Sequence, residues 1–143
     1  MSTVRDILQI KGNAVLFVSP ETTVFDALVV MAEKNVGALM VMSGNTLVGI
    51  FSERDYARKV VLMGKTSREL QIREIMTSDP ISVRPEQSIG ECMEIMNSKH
   101  IRHLPVLENG TLIGMITIRD TIKAVILEKE HTITQLENYI KGT

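Results

Sequence analysis

Apolar and polar positions along this chain switch between a period near two and a period near 3.6, and they do so twice in the same order. Residues 1–13 are a lead-in with a short turn over residues 4–8. Residues 14–18 are apolar and predict a short strand, and Ser19-Pro20-Glu21-Thr22 predicts a turn. Thr23 then precedes Val24, Ala27, Leu28 and Met31, the spacing of a helix capped by a threonine hydroxyl and ending near Lys34 and Asn35. Residues 39–42 predict a buried strand, Ser43-Gly44-Asn45-Thr46 a hairpin turn, and residues 47–51 the returning strand. Ser52 opens a helix expected to run to about Met63, where Gly64 stops it, and residues 64–71 form a polar link.

The second half repeats this order. Residues 81–83 predict a strand, and Ser88 caps a helix carrying Ile89, Cys92, Met93 and Met96. Residues 104–107 and 112–116 predict a hairpin across Glu108-Asn109-Gly110, followed by a helix from Thr117 to about Lys129. The tail carries Ile133, Leu136 and Ile140 on one face, with Thr134 and Glu137 spaced as a capping box, so a further helix is expected there. A shift of 65 residues aligns residues 18–62 with 83–127 without a gap. Residues 4–8 resemble residues 72–76 at a shift of 68, so the first copy has three extra residues near positions 9–16. The expected fold is α+β, two β-α-β-β-α repeats related by a pseudo-twofold axis. The expected organisation is repeat one over 1–64, repeat two over 65–130 and a helical tail over 131–143.

With 44% apolar and 23% charged residues, 143 residues suffice for a substantial core. A net charge of −1 gives no reason to expect a nucleic-acid or membrane-surface binder, and no apolar run approaches the ~20 residues of a membrane span. The single cysteine, Cys92, sits on an apolar helical face and reads as a small core residue. One cysteine and no signal-like start lead us to expect a reducing, cytoplasmic setting.

The candidate chemistry lies where each returning strand gives way to a helix. Gly49-Ile50-Phe51-Ser52-Glu53-Arg54-Asp55 recurs as Gly114-Met115-Ile116-Thr117-Ile118-Arg119-Asp120. Such a boundary leaves backbone amides and the positive end of a helix free to meet an anion. Ser/Thr-x-x-Asp is also the pattern of a capping box, which satisfies those amides internally. Arg54 and Arg58, with counterparts Arg119 and Lys123, read either as phosphate contacts or as a solvated basic face pairing with Asp55 or Asp120. His100 and His103 are three residues apart, but no third metal ligand accompanies them, and no metal site is expected. No nucleophile–base pair or Gly-rich phosphate loop is evident, so no catalysis is expected.

The doubled Gly-x-x-Ser/Thr-x-x-Asp resembles the cystathionine-β-synthase (CBS) domain pair, or Bateman module. Arg5-Asp6-Ile7-Leu8, Arg73-Glu74-Ile75-Met76, Val83-Arg84-Pro85-Glu86 and Ile101-Arg102-His103-Leu104-Pro105-Val106 are family-typical runs. The resemblance spans residues 3–128 and is nearest to stand-alone CBS pairs. It implies a regulatory module that binds AMP, ADP, ATP, NAD or S-adenosylmethionine in clefts between the repeats and signals occupancy to a partner protein. The rival is a constitutive assembly subunit with vestigial clefts. By the same resemblance, Asp55 and Asp120 would clamp the ribose diol. Ser52, Thr117, Arg54, Arg58, Arg102, His103, Arg119 and Lys123 would serve phosphate or ribose. Val15, Leu16 and Met40 would form one adenine slot, Ile81 and Pro105 the other. Gly37-Ala38, the counterpart of Arg102-His103, carries no charge, so the clefts should be unequal, and the pair should form a homodimer.

Overall fold

The structure is a computed structural model, and it describes residues 2–142. In the first repeat β1 (Phe17–Val18) lies parallel to β2 (Ala38–Ser43), with Phe17 opposite Met40. β2 pairs antiparallel with β3 (Thr46–Ser52), and β3 with β4 (Thr77–Ser78), making a four-stranded sheet. The second repeat has the hairpin of β5 (His103–Glu108) and β6 (Thr111–Thr117). Both hairpins shift register at equivalent places, between Val41 and Met42 and between Val106 and Leu107. Asn109 and Gly110 both have positive φ, 52° and 80°, as the Asn-Gly turn requires.

The helices start as their caps dictate. The Thr23 hydroxyl accepts from the Asp26 amide at α2 (Val24–Lys34), and the Ser88 hydroxyl accepts from the Glu91 amide at α5 (Ile89–Lys99). Each ends on a left-handed residue, Asn35 or His100. The apolar segments expected as strands over 14–18 and 81–83 are shorter. Only Phe17 and Val18 pair in the first, and only a single bridge, Val83 to Val106, forms in the second. The helix after Ser52 is α only over α3 (Glu53–Tyr56) and widens to a π-turn over Ala57–Val61. The tail is no separate element, because α6 runs unbroken over Ile118–Lys141. Thr134 and Glu137 are interior residues of it and cap nothing. Residues 4–8, read as a short turn, belong to a full helix, α1 (Val4–Lys11), with Thr3 and Asp6 closing a capping box.

The two leading helices are exchanged between repeats. Val4, Ile7 and Leu8 of α1 pack with Val83, Ile89, Cys92, Met96, Leu104, Val106 and Ile116 of the second repeat. Ile72 and Ile75 of α4 (Ile72–Ile75) pack with Val24, Met31, Leu39, Val41, Phe51 and Val60 of the first. Matched backbone bonds fix the exchange. The Val4 and Arg5 amides donate to the Gln87 and Pro85 carbonyls, and the Ile72 and Arg73 amides to Thr22 and Pro20. The repeated motif glycines serve this packing. A Cβ on Gly114 would stand 2.8 Å from a Leu8 methyl, and one on Gly49 would stand 2.5 Å from Met76 Sδ and 3.0 Å from the Thr77 carbonyl oxygen. Glycine therefore lets each leading helix lie directly on the other repeat's returning strand.

Candidate functional site between the repeats

One continuous cleft of about 1090 Å³ runs between the repeats. Val15, Leu16, Ile50 and Ile81 give it apolar wall. Ser52, Arg54, Asp55 and Arg58 come to it from the first repeat's strand–helix boundary, and Arg102, His103, Thr117 and Arg119 from the second. Expected residues that do not line it have clear reasons. Met40 and Pro105 are buried in central strand positions, and their backbones hold the preceding segments: the Met40 amide donates to Leu16, and the Pro105 carbonyl accepts from Val83. Lys123 is exposed on α6 away from the cleft, and Asp120 lies just behind its lining residues Lys11, Thr117 and Arg119, its Oδ2 held by Lys11 and the Thr117 amide.

Both motif aspartates close a capping box. Asp55 Oδ2 accepts from the Ser52 amide at 2.9 Å and the Ser52 hydroxyl at 3.1 Å. Its Oδ1 accepts from the Thr77 hydroxyl at 3.3 Å and forms an ion pair with Lys59 Nζ at 3.1 Å. Asp120 Oδ2 accepts from the Thr117 amide at 2.9 Å and from Lys11 Nζ at 2.7 Å. Burial alone would raise the Asp120 pKa, but the bonds from Lys11 and Thr117 outweigh it and hold the carboxyl below its ordinary value. Each clamp candidate thus has a lysine on its carboxyl group, and the two lysines come from unrelated places. Lys59 is four residues beyond Asp55, whereas Lys11 arrives from α1.

The cations also differ between halves. Arg54 donates to the His100 carbonyl at 2.7 Å, tying α3 to the end of α5, where exposed carbonyls favour a cation. The side chain of its counterpart Arg119 makes no hydrogen bond to another described residue and lines the cleft. Gly37 faces His103, whose Nε2 lies 3.8 Å from where a Gly37 Cβ would be, so the uncharged pair and the charged pair expected on opposite sides meet at the centre. Burial lowers the His103 pKa, and the charges of Lys11 and Arg102 lower it further, so its imidazole is neutral at pH 7 and offers a hydrogen bond without a charge. Burial, aided by Glu91, pushes the Cys92 thiol up to about 11, which keeps it an unreactive core group. Sequence reasoning missed Lys11, Lys59 and Thr77. The three extra residues of the first copy were the available signal for Lys11, and the i,i+4 spacing from Asp55 for Lys59.

A tandem α+β module with exchanged leading helices and one shared inter-repeat cleft is the class these features define. The CBS domain profile matches residues 4–62 and 72–127, and the chain belongs to the CBS domain family. It is 35% identical over 150 residues to the mitochondrial CBS domain-containing protein CBSX3 of Arabidopsis thaliana, covering 99% of this chain and 73% of that protein. It is 46% identical to a solved structure described as a putative signal-transduction protein with CBS domains from Burkholderia ambifaria, with a TM-score of 0.85 over 88% of this chain and 95% of that one. The hexameric CBS-CP12 protein of bloom-forming cyanobacteria superposes with a TM-score of 0.76 at 27% identity, over 85% of this chain and 70% of that one. No helix among the described residues is long and apolar enough to cross a membrane.

Proposed function

We propose that this chain is a non-catalytic sensor of adenosine-containing nucleotides, binding them in the inter-repeat cleft and passing occupancy to a partner protein. The carrying observation is charge placement. In a chain of net charge −1, seven lysines and arginines line the cleft against three acidic residues, beside an apolar wall of Val15, Leu16 and Ile81. That combination suits a flat base and an anionic tail, and it favours AMP, ADP, ATP or NAD over the cationic S-adenosylmethionine. Ribose recognition falls to Asp55 and Asp120, whose carboxylates accept from a vicinal diol once their lysines move aside to phosphate. AMP at a hundredfold excess over Kd is expected to stabilise the fold by about 2.7 kcal/mol, a shift of a few degrees in Tm, with GMP doing less. A Tm unmoved by AMP, ATP and NAD in differential scanning calorimetry would remove the sensor reading.

The competing reading, a constitutive assembly subunit, draws on α6. Ile122, Ile126, Ile133 and Leu136 are each about half exposed along it. The first-repeat counterparts Val61 and Leu62 are exposed as well, so each repeat presents an uncovered apolar helix face. We infer a homodimer formed through these faces, compatible with either reading. Light scattering at micromolar concentration is expected to give twice the chain's mass, and a monomeric mass would overturn it.

A further inference from the structure

The first copy's three extra residues have a structural outcome. Leu8 and Met76 occupy equivalent places against Gly114 and Gly49, but the second copy's helix stops at Ile75, whereas α1 continues one turn to Lys11. That turn carries the Lys11 ammonium to Asp120 Oδ2 at 2.7 Å and to the Met115 carbonyl at 2.8 Å. Gly12 follows with φ of 98°, a conformation that favours glycine, and turns the chain into Ala14, Val15 and Leu16. Those residues are wall of the cleft on the Asp55 side. Residues 14–16 join no strand; Lys11 anchors the chain before them, and β1 together with the bond from the Met40 amide to the Leu16 carbonyl anchors their far end.

We propose that Lys11 is a positioning residue that couples the two halves of the cleft, holding the apolar wall of the Asp55 side by its grip on Asp120. The proposal rests on the nucleotide reading above. A ribose on Asp120 competes with the Lys11 ammonium for the same carboxylate, and its binding loosens the wall that an adenine on the Asp55 side packs against. The halves therefore antagonise one another, and a first nucleotide weakens the second. Lys59 differs in what it holds: besides Asp55 it donates to the Ile75 carbonyl of α4 at 3.1 Å, so displacing it bears on α4 and not on residues 12–16.

The test uses the full chain with Lys11→Met and the charge-conserving Lys11→Arg. Without ligand, amide hydrogen exchange over residues 12–16 should rise in Lys11→Met and return towards wild type in Lys11→Arg. Calorimetric titration with AMP should give two sites differing by about tenfold or more in the wild type, the difference shrinking in Lys11→Met and restored in Lys11→Arg. Unchanged exchange in Lys11→Met overturns the anchor whatever AMP does. Inequality that persists in Lys11→Met overturns the coupling. No AMP binding by the wild type, with exchange responding as expected, overturns the nucleotide reading and the antagonism while the anchor stands.

Discussion

Asp55→Ala is expected to weaken AMP binding on its side of the cleft by about ten- to a hundredfold, the equivalent of one charge-assisted hydrogen bond at roughly 1.5–3 kcal/mol. The same change removes the acceptor of the Ser52 amide and the ion-pair partner of Lys59, so stability should fall by about 1 kcal/mol or more through the lost cap. Asp55→Asn separates the effects. An amide oxygen still accepts from Ser52, so the fold is largely kept, while the ionised acceptor needed for a ribose diol is gone. Calorimetry on both variants decides the matter. Undiminished AMP affinity in Asp55→Asn would mean that Asp55 is a helix cap alone.

The duplication was legible because both halves must solve the same packing problem, and the 65-residue shift carried caps, hairpins and core positions together. Thr23 and Ser88 were readable as caps because a hydroxyl before an apolar helical stripe has one local use. The exchange of α1 and α4 was not legible. Periodicity says which face of a helix is apolar, and it is silent on which core receives that face. Residues 14–16 misled for a related reason, since an apolar extended run serves equally as a strand or as a ligand-facing wall. Met40 was misassigned to the adenine slot because β2 is covered on both faces: Ala38, Leu39, Met40 and Val41 are all buried, which removes the usual alternation. The tail's Thr134 and Glu137 matched a capping pattern inside a continuous helix, where spacing alone cannot mark a start. Lys11 depended on an insertion whose length, one helical turn, becomes informative only once α1 is seen to lie on β6.

Phe51→Ala is expected to cost about 3–5 kcal/mol, the range for emptying a buried aromatic site. Phe51 is fully buried in β3, paired with Leu39 and packed in the first repeat's core with Ile72 and Ile75 of α4. A domain of this kind has roughly 5–15 kcal/mol in all, so the variant should unfold at a far lower urea concentration. Because α4 belongs to the second repeat's sequence, the damage should reach both repeats, giving a single cooperative transition. Two separated transitions in urea, or a loss below about 1 kcal/mol, would contradict the packing described.

The exchanged leading helices bear on how such a chain could have arisen. Each β-α-β-β-α unit lacks, within its own sequence order, the helix that fills its core. A lone ancestral copy would have met the same contacts only by trading that helix with a second chain, as a swapped dimer does. Fusion of two copies would then have turned an intermolecular trade into an intramolecular one without altering a contact. Once joined, the halves were free to diverge, and three residues added to a single helix were enough to make one former equal reach across and grip the other.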